Sequence, residues 1–281
     1  MLLLIIFIFT FILAVYAILC YCSHRVKHNL CIMAIFKNEH EYMEEWLKHH
    51  VQQGISHFYL YCNDEHIENY KYLDLYKPYI TLIDWTNVSN NGSQTIQRQA
   101  YTHCVQHYNN HYKYIMMLDL DEFIVSSSGS VIDYINSIDY NNTCALKIPR
   151  FNFGSDGHIK KPDGNVMDNY FTKEKICSSY KTIANSQYID TSQNFYGVHD
   201  FNLLNSGKIY NAYLSYAKTG FPSGCSINDI NETPLVINHY FTKSYDEYIK
   251  RCSLWTNGGV NPVNYRKDCA SKFHLVDIRK N

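Results

Sequence analysis

The feature that most restricts the fold of this chain is an alternation of short apolar runs with helix-period segments, each run closing on polar residues. The run "LCIMAIF" (30–36) has the length and continuous apolarity of a strand buried on both faces, and it closes on Lys37-Asn38-Glu39. The segment "EYMEEWLKHHVQQG" (41–54) then puts Met43, Trp46, Leu47 and Val51 on one helical face, with Gly54 placed to end the helix. A second strand, "HFYLYC" (57–62), closes on Asn63-Asp64, and "YITLID" (79–84) reads as a third. Residues 94–109 read as a helix and "YIMML" (114–118) as the next strand. This order predicts an α/β fold with a mostly parallel sheet flanked by helices. Ligands of such sheets gather outside the carboxyl ends of the strands, where these polar clusters lie. From about residue 145 the pattern loses regularity and becomes rich in Gly, Asn, Ser and Tyr, which suits a substrate region built from loops. At 281 residues and 46% hydrophobic content, the chain has material for one domain with a sizeable core.

The polar cluster after "YIMML" is the most unusual. Asp119-Leu120-Asp121-Glu122 sets three carboxylates between two apolar pieces, since Phe123-Ile124-Val125 follows at once. Two aspartates flanking one residue at a strand end can offer oxygens to a common divalent ion, and hard oxygen ligands suit Mn²⁺ or Mg²⁺ rather than zinc. Such an ion bridges to phosphates and neutralises charge on a departing diphosphate. The plain alternative is an exposed turn with solvated carboxylates.

The first 22 residues, MLLLIIFIFTFILAVYAILCYC, carry no charge and are long enough to cross a hydrocarbon core of ~30 Å as a helix. They lack a basic start, and Cys20-Tyr21-Cys22 is a mediocre cleavage site. The segment therefore reads as a transmembrane anchor in preference to a cleaved signal, with 23–29 as a short linker. Arg25 and Lys27 just after it favour a cytosolic body by the positive-inside rule. Acceptor sequons at Asn87, Asn91, Asn141 and Asn231 favour a lumenal one. None of the ten cysteines forms a C-x-x-C pair, which speaks against a zinc ribbon. Cys31 and Cys62 fall in apparent strands and read as core thiols. A net charge of −1 without a basic block gives nucleic-acid binding no electrostatic support.

The stretch "AIFKNEHEYMEEWLKHHVQQGISHFYLYCND" (34–64) resembles the opening of glycosyltransferase family 92 and family 2-like enzymes. "QRQAYTHC" (97–104), "MLDLDEF" (117–123), "RFNFGSDGHIKKPDG" (150–164), "YKTIA" (180–184), "GVHDF" (197–201) and "INHYFTKSYDEYIKR" (237–251) continue the likeness in the same order. It covers about residues 30–251; "RCSLWTNGGVNP" (251–262) departs from it, which leaves the acceptor open. The resemblance implies a GT-A-type (Rossmann-like) domain over 30–281, with a nucleotide-sugar half (30–125) and an acceptor half (126–281). It also implies a nucleotide-sugar donor, with UDP-galactose the first choice, a glycan or glycoprotein acceptor, and a Golgi-type anchored enzyme with a lumenal body.

Roles carry over residue by residue. Lys37, Asn38, Glu39, Asn63 and Asp64 are expected to line the nucleoside pocket, or else simply to cap strand ends. Gln97 and Arg98 are expected near the diphosphate, with pairing to a surface acid the alternative for Arg98. Asp119 would contact the ribose or the metal, Asp121 would ligate the metal, and Glu122 would support that shell or bond to backbone. His239 is the first choice for a late histidine ligand and His199 the second; either can instead be a plain core histidine. Lys243, with Ser244, would meet the diphosphate as a point charge. An inverting reaction needs a base, for which Asp156 in "FGSDGH" ranks before Asp200. Phe151, Phe153 and Trp255 are candidates to stack on sugar rings. The expected function is metal-dependent transfer of a sugar from a nucleoside diphosphate to a glycan hydroxyl. A non-catalytic carbohydrate-binding protein and a metal-dependent phosphohydrolase are the alternatives.

Overall fold

A computed structural model describes residues 30–91, 94–127, 129–138, 143–175, 177, 179–204, 207–212, 233–257, 273, 274 and 277. The expected anchor (1–22) and linker (23–29), with Asn141 and Asn231, lie outside the described residues. Among the described residues no helix is long and apolar enough to cross a membrane.

The first half follows the sequence pattern closely. Strands β1 (Leu30–Phe36), β2 (His57–Cys62), β3 (Ile80–Asp84) and β4 (Tyr114–Met117) lie side by side in the order β3-β2-β1-β4, all parallel. Helix α1 (Met43–Gln52) buries Met43, Trp46, Leu47 and His50, while Val51 packs at the margin of the same core. Gly54 ends α1 in the left-handed region at φ +82°, and a Cβ there would meet the Ile132 side chain at 2.2 Å. Helix α2 (Ile96–Tyr108) covers the other face with Ala100, Tyr101, Cys104 and Val105 and is capped by Thr95, whose hydroxyl accepts from the Arg98 amide at 3.3 Å. The chain leaves β1 toward β2 on one side and meets β4 on the other, so the rim between β1 and β4 is the switch point where such sheets hold ligands.

The second half adds strands to a region the sequence presents as loop-built, while the segments between them, such as 153–165 and 189–204, are mostly loop. Strands β5 (Glu122–Ser126), β6 (Thr143–Asn152), β7 (Ser179–Asn185), β8 (Lys208–Asn211) and β9 (Leu235–His239) extend the same sheet as β4-β7-β6-β9-β5, with β8 beside β6. Here the sheet is mixed: β7 is antiparallel to β4 and to β6, and β5 to β9, while β6 runs parallel to both β8 and β9. The parallel expectation thus holds for the first four strands. Strand β6 pairs with β8 over Thr143–Lys147 and with β9 over Arg150–Asn152, so Pro149 sits where its missing N–H leaves no gap in a ladder. Short helices α3 (Val131–Ser137) and α4 (Val166–Asn169) and the longer α5 (Tyr245–Asn257) complete the fold.

Five of the described cysteines, Cys31, Cys62, Cys104, Cys144 and Cys177, are free thiols, the first four of them buried. Cys252 belongs to a disulfide.

Candidate active site

Strand direction brings the chemistry to one rim. The carboxyl ends of β1, β4, β6 and β9 meet there with the amino ends of the antiparallel β5 and β7. His239 closes β9 opposite Glu122 on one side and Asn152 on the other. The acidic turn joins β4 to β5: the Glu122 amide donates to the Asp119 carbonyl at 3.0 Å, and the Asp119 amide donates to Glu122 Oε2 at 3.0 Å. Helix α1 pins this turn from below, since the Trp46 indole N–H donates to the carbonyls of Glu122 (2.9 Å) and Asp119 (3.2 Å).

Asp119 is immobilised. Lys181 Nζ donates to its Oδ2 at 2.8 Å, Gln97 Nε2 to its Oδ1 at 3.0 Å, and the Tyr101 hydroxyl to the same Oδ1 at 3.4 Å. Lys181 also pairs with Glu122 Oε2 at 3.1 Å, while Arg150 holds Glu122 Oε1 at 2.9 Å. A fully buried lysine is tolerable only with such partners. Burial pushes its ammonium down, but Asp119 and Glu122 outweigh that and keep it above its ordinary value.

Asp121 and His239 form the other half of the site. The Glu174 carboxylate can only accept, so it takes the Asn152 Nδ2 donor (3.1 Å) and leaves Asn152 Oδ1 to accept from His239 Nδ1–H at 2.6 Å. That relay presents His239 Nε2 to Asp121 Oδ2, 3.4 Å away. The same Oδ2 accepts Arg251 Nη2 at 2.6 Å. Burial pushes the Asp121 carboxyl up, but Arg251, followed by His239 and Lys243, holds it well below the usual carboxylate range. Lys243 is buried in a left-handed conformation (φ 51°), its ammonium 3.6 Å from the Tyr42 ring centre and 3.9 Å from Glu39 Oε2. A left-handed lysine costs about 1–2 kcal/mol and marks a place where the surroundings dictate the backbone.

The remaining candidates fall around this centre or apart from it. Glu39 is drawn in by Lys243 and Arg251, although burial raises its pKa on balance. Lys37 and Asn38 are exposed on the rim. Asn38, left-handed at φ 58°, gives its amide to Asp64 Oδ2 at 2.8 Å, and Asp64 also takes the Tyr70 hydroxyl. The Asn38–Asp64 bond braces these two loops against each other, and Asn63 ties the second to the Trp85 carbonyl at 2.8 Å. Arg98 is half-buried in the first turn of α2.

Ser244 spends its hydroxyl on Glu247 Oε2 (2.6 Å) as the cap of α5. Asp156, left-handed at φ 50°, accepts from the Phe171 amide (2.6 Å) and from the Thr172 amide (3.0 Å) and hydroxyl (2.5 Å), which ties its own loop together. Alternation along β6 and β7 puts Lys147, Tyr180 and Thr182 on the face opposite Lys181 and Arg150. Asp200 belongs with the first three: it accepts from Tyr180 (3.0 Å) and Thr182 (3.0 Å) and pairs with Lys147 at 3.3 Å. His199 Nδ1 bonds the Tyr180 carbonyl at 3.0 Å; burial, then Lys181 and Arg150, lowers its pKa. Phe151 and Phe153 are core residues, not open platforms.

Lys181, Arg150, Arg251, Asn152 and Glu174 join the site without a sequence motif that marks them for it. A lysine in the middle of the strand-like "SSYKTIA" was the available signal for the first. Among the described residues no three His, Cys, Asp or Glu side chains form a cluster able to hold a metal by themselves. Asp121 and His239 supply two donors, the number that suits an ion completing its shell with water and phosphate.

The family model described as Glycosyltransferase family 92 matches residues 27–273. A glycosyltransferase family 92 protein of Ricinus communis is 23% identical over 221 residues, covering 76% of this chain and 35% of that protein. Another, of Oryza sativa subsp. japonica, is 21% identical over 221 residues, covering 77% and 34%. The chain thus spans about a third of the length of the curated relatives it matches. The crystal structure of HddC from Yersinia pseudotuberculosis superposes with a TM-score of 0.35 at 11% identity, over 72% of this chain and 97% of that one.

Proposed function

The chain belongs to glycosyltransferase family 92, and on that premise we propose that it is a hexosyltransferase of GT-A type that moves a sugar from a nucleoside diphosphate to a glycan hydroxyl. The observation that carries this reading is the approach of His239 Nε2 to Asp121 Oδ2 at 3.4 Å on the rim of the switch point, with Lys243 buried beside them. Asp121 and His239 would hold Mn²⁺ or Mg²⁺, which supplies charge neutralisation for the departing diphosphate. Lys243 adds a second positive charge for the same group. Asp119, fixed by Lys181 and Gln97, contacts the ribose or the cation. The braced loops of Lys37, Asn38 and Glu39 and of Asn63 and Asp64 hold the nucleoside. UDP-galactose is the donor of choice by family likeness.

Inversion needs a base for the acceptor hydroxyl. Asp156 is the first candidate and must exchange a present donor for that hydroxyl; Asp200, the second, lies with Lys147, Tyr180 and Thr182 on the sheet face opposite Lys181, which weighs against it. The Cys252 disulfide and the exposed Asn87 and Asn91 support a lumenal body behind an N-terminal anchor.

The full-length protein in detergent, incubated with a nucleotide-sugar panel and Mn²⁺, should release nucleoside diphosphate and label a glycan, and EDTA should stop both. Arg251 on Asp121 is the feature that favours a non-catalytic carbohydrate-binding protein. Glycan retention without donor turnover would bear that alternative out. Donor hydrolysis without transfer would instead point to a phosphohydrolase.

A further inference from the structure

The oxygen best placed to ligate a cation already holds one. Arg251 Nη2 sits 2.6 Å from Asp121 Oδ2, while Nη1 is anchored on the Phe241 carbonyl at 2.9 Å. The same guanidinium lies 3.9 Å from Glu39 Oε1, and Lys243 lies 3.9 Å from Glu39 Oε2. A divalent ion bound at ~2.0–2.1 Å from Oδ2 would lie against the guanidinium, and two unscreened positive charges in so buried a place repel strongly.

The charges around the site explain what would relieve this. Glu39 and Asp121 face Lys243 and Arg251, and Asp119 and Glu122 face Lys181 and Arg150. With His239 counted as neutral, each group is balanced as it stands. A divalent cation alone would leave an excess of positive charge, and a diphosphate alone an excess of negative charge; both together restore the balance. The planar guanidinium fork binds phosphate oxygens as readily as carboxylate oxygens.

We propose that Arg251 is a diphosphate-binding residue that caps Asp121 in the donor-free protein and passes to the donor's diphosphate as the cation takes its place. The proposal rests on the donor and cation reading above and adds an order to it. The cation and the diphosphate enter together, and the free ion is kept off Asp121.

The test is Mn²⁺ binding to the full-length protein in detergent, read by electron paramagnetic resonance with no nucleotide and with UDP. Without nucleotide, Arg251→Gln should bind Mn²⁺ about 10-fold or more tighter than wild type, the equivalent of one charge-assisted hydrogen bond removed from competition. At saturating Mn²⁺ the same variant should bind UDP about 10-fold weaker, with UMP binding unchanged. Arg251→Lys keeps a charge but cannot hold Phe241 and Asp121 at once, so it should fall between. It also carries the test if loss of the Phe241 contact prevents the glutamine variant from folding. Unchanged nucleotide-free affinity in folded variants, with UDP-dependent Mn²⁺ uptake intact in wild type, overturns the cap and leaves the cation reading standing. Equal weakening of UDP and UMP overturns the diphosphate role. No Mn²⁺ uptake by wild type even with UDP overturns the cation reading and this proposal together.

Discussion

Lys181 shows what single residues decide here. It is wholly buried between Asp119 and Glu122, at 2.8 and 3.1 Å. Removing one partner of such a pair is costlier than the pair is stabilising, because the survivors stay buried and uncompensated. Lys181→Met should therefore lower the unfolding free energy by about 3–5 kcal/mol, measured by denaturant titration. A loss below about 1 kcal/mol would mean that water or Arg150 takes over the charge. His239 differs, since its ring is oriented by the Glu174–Asn152 relay toward Asp121 rather than packed for its own sake. His239→Ala should raise the Mn²⁺ concentration for half-activity about 10-fold or more, on the scale of a disturbed metal environment. Its melting temperature should move little. An unshifted Mn²⁺ curve with a lowered melting temperature would return His239 to a structural role and transfer the ligand assignment to His199. Asp121→Asn, which removes the proposed charged donor, should lower turnover per folded molecule on the order of 100-fold or more; it also leaves Arg251 without its partner, so turnover is read against the folded fraction.

Helix α1 is the element that connects fold to site. Its Trp46 indole fixes the acidic turn, and two consecutive histidines dock it on β5: His49 Nε2 bonds the Ile124 carbonyl at 2.8 Å, and the Ile124 amide donates to His50 Nε2 at 3.3 Å. His50 Nδ1–H donates to the Trp46 carbonyl at 2.7 Å, so both ring nitrogens are used by the neutral form. Burial first, then His49, holds the His50 pKa well below its ordinary 6.5, and burial lowers His49 too. In the unfolded chain these rings take up protons as pH falls through that value, whereas in the folded chain they stay neutral. Stability is therefore present above about pH 6.5 and is lost as pH falls below it, at up to ~1.4 kcal/mol per pH unit for each such histidine. Denaturant titrations from about pH 7.5 to about 5.5 should show this slope. His50→Gln should make it shallower without abolishing it, because His49, His57, His103 and His199 share the direction. An unchanged slope in that variant would remove His50 as a source.

At the scale of the whole molecule, one sheet runs through both sequence halves, and the end of the first half, β5, is held at an edge by β9 from the second. The exposed Asn87 and Asn91 lie in sequons, so treatment of protein from secretory-competent cells with peptide N-glycosidase should increase its gel mobility. No shift, together with protease sensitivity from the cytosolic side of intact microsomes, would put the body in the cytosol, as Arg25 and Lys27 suggest. The sequence by itself determined the four parallel strands, the two helices that cover them, the glycine that ends α1 and the rim carrying the acidic turn. These follow from local apolar period and chain punctuation, which need no knowledge of distant partners. Only the tertiary structure decided that four strands of the irregular second half, β6 to β9, join the same sheet. Its strands carry Lys147, Arg150 and Lys181, charges that break the apolar pattern; Lys147 and Lys181 are buried and Arg150 half-buried only because Asp200, Asp119 and Glu122 meet them from elsewhere in the chain. It likewise decided that Arg251, 130 positions after Asp121, would rest on its carboxylate. Opposite charges make each other's burial tolerable only once the fold has brought them together, and no local window of sequence contains both.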